Sequence, residues 1–252
     1  WTITKYEIDP ESKIGVGFFS DVYKGTWRGR TVAVKALAKT TSRKLFVREI
    51  ERWKDLRHPN VLQLYGASGE APWFFVSPYM KNGNLVEFLK RIGDLSREWD
   101  LFRFMYEIAE GMEYLHSHGV LHGDLKAANV LVDDNIHCVV SDFAQSEMKS
   151  EVLKISGTPL HGTLRWQAPE LLLGQSRLTA EMDVYAFAIC CIEILSMGRM
   201  PWPLQDDEFV RHLVLGAPHH HDSRFTNPLR VQELLRICWH RDPTLRPPFS
   251  KI

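Results

Sequence analysis

The run His122-Gly-Asp-Leu-Lys-Ala-Ala-Asn129, followed thirteen residues later by Asp142-Phe-Ala144, limits what this chain can fold into more than any other feature. It sets two acids, Asp124 and Asp142, and one amide, Asn129, in a short stretch, a set of oxygen donors suited to a hard cation. Hard cations take carboxylate and amide oxygens, and phosphate oxygens complete their shell. Taken alone, the run also reads as a polar turn between a helix and a strand, and the rest of the chain decides between the two.

With 252 residues, 44% of them hydrophobic, the chain can bury a large core, and its length fits one large domain or two small ones. Up to about Val76 it carries short alternating runs such as Val22-Tyr23-Lys24-Gly25 and Thr31-Val-Ala-Val-Lys35, broken by glycine, which predict twisted antiparallel strands. One helix interrupts them. Ser42 is its expected cap, and Leu45, Phe46, Glu49, Ile50, Trp53 and Leu56 recur at helical spacing until His58-Pro59 stops it, so Glu49 shares a face with core residues. From Asn84 onward the pattern is helical. Phe102, Met105, Tyr106, Ala109, Met112 and Leu115 predict one stripe of a long helix ending near Gly119, and Thr179 caps another running to Ser196. Pro78 to Gly83 reads as a hinge, and Gln145 to His161 as a mobile loop.

Lysine plus arginine and aspartate plus glutamate both number 31, so net charge gives no reason to expect nucleic acid or an anionic membrane as a partner. Cys138, Cys190, Cys191 and Cys238 form no Cys-x-x-Cys pair and read as buried free thiols of a reducing compartment. The longest apolar stretch, Val184 to Ile192, is far short of the roughly 20 residues that span a bilayer. No signal-peptide pattern opens the chain, which therefore reads as soluble and cytoplasmic.

Near the start, Gly15-Val-Gly17-Phe-Phe-Ser20-Asp-Val22 lies between two predicted strands, where small residues let backbone amides approach phosphate groups. Thirteen residues after Val22 comes Lys35, in an alternating strand that turns Ala33 and Lys35 to the same side. Each of these features alone has a bland reading, as a hairpin turn, a solvated lysine or a helix glutamate.

Together they resemble the protein kinases. The run at His122 resembles the catalytic loop H-R-D-x-x-x-x-N, Asp142-Phe-Ala144 the D-F-G metal motif, Gly15 to Val22 the G-x-G-x-x-G-x-V loop, Val32-Ala-Val-Lys35 the V-A-I-K strand, and Ala168-Pro169-Glu170 the A-P-E signature. The resemblance covers Tyr6 to Ile252. It implies an α+β, bilobal kinase fold in a single domain over 1–252, with an N-lobe at 1–77, a hinge at 78–83 and a C-lobe at 84–252 that stops before the family's last helix. It also implies the ligands, ATP and Mg2+ with Mn2+ as a substitute, and a protein substrate.

By the same resemblance, Lys35 holds the α and β phosphates and Glu49 pairs with it. Asp124 accepts the substrate hydroxyl's hydrogen bond and takes its proton, Lys126 faces the transferred phosphate, and Asn129 and Asp142 bind magnesium. Ile14, Gly15, Val16, Gly17, Val22, Ala33, Ser77, Pro78, Met80 and Leu131 form the nucleotide pocket, with Ser77 as gatekeeper and the Pro78 carbonyl and Met80 backbone facing the adenine edge. Proline at 78 loses only an N–H, so the acceptor for adenine's amino group is kept. His122 packs beneath the loop with Phe143, and Thr163 belongs to the peptide floor. Glu170 pairs with Arg246, and Asp183 holds the catalytic loop's backbone. Lys126 matches serine/threonine kinases. Leu62-Gln-Leu-Tyr-Gly66 and Lys81-Asn-Gly-Asn-Leu85 resemble the tyrosine-kinase-like group, which includes the mixed-lineage and Raf-type kinases, and His-Gly-Asp-Leu-Lys is similar to the form in its fungal members.

Three positions depart from the family pattern. Gly123 replaces the arginine that in many kinases receives the phosphate of the activation loop, which argues against tight control through Ser146, Ser150, Ser156 or Thr158. Ala144 replaces the glycine of D-F-G, and if the productive form needs positive φ there, alanine costs roughly 1 to 2 kcal/mol. Ser20 replaces the third glycine of the loop. Two readings follow: an active, magnesium-dependent serine/threonine kinase, or a pseudokinase acting as a nucleotide-binding or scaffold module. His219-His-His221 reads as a solvated loop rather than a metal site.

Overall fold

The structure, a computed structural model, describes residues 2–17, 20–93, 98–143, 163–175, 177–216 and 229–252. Its contacts divide into two compact units, Trp1–Lys81 and Asn82–Ile252.

The first unit is built on a six-stranded sheet of β1 (Thr2–Ile3), β2 (Ile8–Val16), β3 (Ser20–Trp27), β4 (Arg30–Leu37), β5 (Gly66–Ser68) and β6 (Phe74–Pro78), in the order β1-β5-β6-β4-β3-β2. Arg28 and Gly29 join β3 to β4 with φ of 50° and 74°. Two consecutive positive φ values mark the turn whose twist suits a hairpin. The expected antiparallel pairing holds from β2 to β6, but β1 lies parallel to β5. Val32 and Val34 of β4 pack with Ile3, Ile8, Phe74 and Val76 in a buried cluster. Ala33 and Lys35 alternate with them and so belong to the other face.

Helix α1 (Arg43–Trp53) packs on that other face. Phe46 stacks on Phe75 of β6 and Trp53 packs tilted against it, at centroid distances of 5.1 and 5.5 Å. Ser42 caps the helix as expected, its Oγ accepting the Leu45 N–H at 3.3 Å. The helix ends at Trp53 instead of running to His58-Pro59, and Leu56 is buried in the turn that follows.

The second unit is mainly helical: α2 (Leu85–Ile92), α3 (Glu98–Ser117), α4 (Pro169–Leu172), α5 (Ala180–Leu195), α6 (Asp207–Gly216) and α7 (Leu229–Cys238), with one hairpin of β7 (Val130–Val132) and β8 (Cys138–Val140). Helix α5 is apolar all round, and Met182 to Ile194 are all buried, as expected of a helix surrounded by protein. Its start and stop match the expectation, although the Thr179 side chain makes no capping bond. The α3 stripe differs. Leu101, Phe104, Met105, Ile108, Ala109, Met112 and Leu115 are buried, whereas Tyr106 is 63% exposed. All four cysteines are buried free thiols. No helix among the described residues is long and apolar enough to cross a membrane.

Candidate active site

Helix α3 is followed by Gly119, whose φ of 71° turns the chain toward His122. The carboxylate of Asp183, in the first turn of α5, then anchors the segment: Oδ2 accepts the N–H of His122 and Oδ1 that of Gly123, both at 2.8 Å. His116 Nε2 lies 2.9 Å from Oδ2 of the same carboxylate. Burial alone would push Asp183 up, but His116 and the Gly123 N–H hold it below its ordinary range. His122 is fully buried, with Nδ1 accepting the Asp124 N–H at 3.2 Å and Nε2 at 2.8 Å from the Ser141 carbonyl. Since Nδ1 accepts, the proton resides on Nε2 and is donated to Ser141. This histidine ties the loop to the strand end that precedes Asp142, consistent with a packing role.

The loop's own polar groups interlock. The side-chain N–H2 of Asn129 donates to the Asp124 backbone carbonyl at 2.7 Å and to its Oδ2 at 3.0 Å, and Lys126 Nζ lies 3.5 Å from Asp124 Oδ1. With its nitrogen engaged in donation, the amide oxygen of Asn129 is the atom able to accept a hydrogen bond or to coordinate a cation. The Ser141 N–H and Oγ–H both donate to the Asn129 carbonyl, at 2.9 and 2.8 Å, so the β7–β8 hairpin brings Asn129 to the same end as Asp142. Asp142 has φ of 62°, a left-handed conformation that aspartate tolerates better than most side chains, and Phe143 beside it is buried. Ala144, where a positive φ was considered, lies outside the described residues, as do Ser146, Ser150, Ser156, Thr158 and His219 to His221. One amide oxygen and one carboxylate suit magnesium, which keeps waters and phosphate oxygens rather than filling an all-protein cage.

In the first unit, register places Val22, Ala33, Lys35 and Ser77 together on one sheet face. Lys35 is paired with Val22 on one side and Phe75 on the other, and Ala33 with Ser77. Phe75 is the ring that Phe46 and Trp53 cover, and Glu49, 2% exposed, lies between those two on α1. Pro78 sits opposite Val32 at the end of β6, and Met80 is half-buried just beyond. Gly15 pairs with Val22, Ile14 and Val16 are exposed, and the Gly17 N–H donates to the Ser20 carbonyl at 2.7 Å. Ser20 is paired with Leu37 in extended β3, a conformation that needs no glycine, so this departure is accommodated locally. Leu131 belongs to the second unit, half-buried on β7 opposite Val139.

Gly123 is accommodated too. Its φ of 71° favours glycine, and an added Cβ would come within 2.5 Å of Leu178 Cδ1. The expected scaffold pair is present: Arg246 is bidentate on Glu170, at 2.6 and 2.9 Å. Beyond Thr163, Arg165 donates to the carbonyls of Pro201, Trp202 and Gln205 and to Asp207 of α6.

Sequence reasoning missed Glu193. This residue of α5 is 3% exposed, and its Oε2 accepts the Ala127 N–H at 2.9 Å and the Trp166 indole N–H at 2.7 Å. Burial pushes its pKa up to about 7, opposed by those two donors and by the charges of Lys126 and Lys90. The available signal was an acid, Glu193, directly after the apolar run Val184 to Ile192, where it is costly to bury unless it has partners.

A family model described as protein tyrosine and serine/threonine kinase matches residues 8–252, nearly the whole chain. The chain belongs to that family of protein kinase domains.

Proposed function

We propose that this kinase domain transfers the γ-phosphoryl group of ATP to serine and threonine hydroxyls of protein substrates in cytoplasmic signalling, using Mg2+, or Mn2+ in its place. The observation that carries this reading is the arrangement at Asp124. Its carboxylate is held by the Asn129 amide on one oxygen and approached by Lys126 on the other, and its side chain remains partly accessible, at 13%. A carboxylate so oriented can accept the hydrogen bond of an incoming hydroxyl and take its proton. Lys126 faces the transferred phosphate, and Asn129 and Asp142 hold the metal, which supplies charge neutralisation at the phosphate oxygens.

For the nucleotide, the face bearing Val22, Ala33, Lys35 and Ser77 supplies a small-residue bed and one ammonium, with Glu49 orienting Lys35. Ile14, Gly15, Val16 and Gly17 cover it, and the Pro78 carbonyl and Met80 backbone read the adenine edge. Lys126 and the motifs at Leu62 to Gly66 and Lys81 to Leu85 support placement among serine/threonine-specific, tyrosine-kinase-like enzymes.

The test is transfer of labelled γ-phosphate to the domain itself and to a generic protein substrate, wild type against Asp124→Asn. Loss of roughly 100-fold or more is expected, the scale of general-base catalysis, with label on serine or threonine. Label on tyrosine would overturn the specificity. Silence in the wild type that persists in Ala144→Gly would favour the pseudokinase reading.

A further inference from the structure

Glu193 and Trp166 have no assigned part in phosphoryl transfer, yet they grip Lys126 from two sides. The Glu193 carboxylate accepts the N–H of Ala127, the residue immediately after Lys126. The same oxygen accepts the indole N–H of Trp166, and the Trp166 ring lies beneath the Lys126 ammonium, with Nζ 5.8 Å from its centroid. The ammonium in turn lies 3.5 Å from Asp124 Oδ1. Backbone, indole and ammonium thus form a closed circuit with one buried carboxylate at its base.

The parts of that circuit are rigid. Trp166 is 9% exposed, and its orientation is set by a hydrogen bond to a side chain that helix α5 fixes in place. A ring face beneath an ammonium attracts it without neutralising its charge, which leaves Lys126 able to meet a phosphate. An aliphatic residue at 193 would leave both donors unsatisfied and the indole free to turn.

We propose that Glu193 and Trp166 act as a clamp that positions the Lys126 ammonium beside Asp124, coupling the segment around Trp166 to the catalytic loop. Both are positioning residues. The inference rests on the reading above in one respect, that Lys126 faces the transferred phosphate.

The test reads the clamp and the chemistry separately in Glu193→Gln, Glu193→Leu and Trp166→Phe. NMR on the intact domain follows the ring-current shift of the Lys126 ε-methylene protons and the exchange rate of the Ala127 amide. Glu193→Leu should abolish the shift and speed exchange at least tenfold, whereas Glu193→Gln, which still accepts both bonds, should preserve both. In transfer assays kcat should fall at least tenfold in the leucine variant and stay within twofold in the glutamine variant, with KM for ATP unchanged in both. Trp166→Phe keeps a ring but loses the donor; a reduced shift and a severalfold lower kcat are expected, which decides the matter if the leucine variant does not fold. Unchanged Lys126 signals in the leucine and phenylalanine variants, or a glutamine variant as impaired as leucine, would overturn the clamp. A wild type silent in transfer would refute the phosphoryl-transfer reading, while the NMR shifts would still decide the clamp.

Discussion

Gly123 shows how a single residue can look like a loss in sequence and prove to be a fit in structure. Against the family pattern it is a missing arginine; in the fold it adopts a φ of 71° and leaves room for Leu178. Neither property is legible beforehand, because the neighbour is distant in sequence and φ depends on how Asp183 holds the segment. Gly123→Ala should destabilise the domain by about 1 to 2 kcal/mol from backbone strain, plus the cost of displacing Leu178. Adding Leu178→Ala should relieve only the steric part, which urea unfolding of the two variants would separate; an alanine as stable as wild type would refute the strain. Arg246 and Glu170 were legible as a pair, but not the further acceptors, His240 and Glu181 carbonyls, that saturate a side chain with no exposure. Arg246→Leu leaves Glu170 and these carbonyls without their donor and should cost about 3 to 5 kcal/mol in denaturant unfolding.

At the scale of elements, periodicity located helices well and faces less well. Ser42 and the α1 face were legible because a cap and a helical repeat are local signals. Ser42→Ala should cost about 1 kcal/mol, the worth of one satisfied terminal N–H, without altering the packing of Phe46 and Trp53 against Phe75. Helix α3 resisted the same treatment because its buried face contains a glutamate. Glu107 accepts the Cys138 N–H and approaches His137, each at 2.7 Å, and so occupies a position that polarity assigns to solvent. Tyr106, one residue earlier, is displaced outward, beside Glu110. Tyr106 and its buried neighbour on the stripe, Ile108, should therefore respond differently: Tyr106→Ser within about 0.5 kcal/mol of wild type, Ile108→Ala costing about 2 to 5 kcal/mol, both by chemical denaturation. The parallel β1–β5 pair escaped notice because a two-residue strand carries no periodicity.

For the whole molecule, the α+β architecture and the order of the motifs were legible, since both follow from patterning and spacing. What binds the second unit's loops to its central helix was not, because buried carboxylates such as Asp183 and Glu193 act through backbone donors that sequence does not mark. These two acids give opposite pH dependences. Asp183 is held below its ordinary value of 3.8, so the stability it contributes is present above that pH and is lost only as pH falls through its lower folded value. Glu193 is raised from 4.5 to about 7, so between those values the unfolded chain binds fewer protons than the folded one and stability falls as pH rises. At roughly 1.36 kcal/mol per pH unit, that interval bounds the loss at about 3 kcal/mol. Across pH 5 to 7.5 the Glu193 slope should therefore appear in wild type and vanish in Glu193→Gln, which cannot ionise but still accepts the Ala127 and Trp166 donors. Urea midpoints of the two proteins should converge toward pH 5 and diverge in favour of glutamine toward pH 7.5. Parallel curves would mean that Glu193 keeps an ordinary pKa, its burial offset by Lys126 and Lys90.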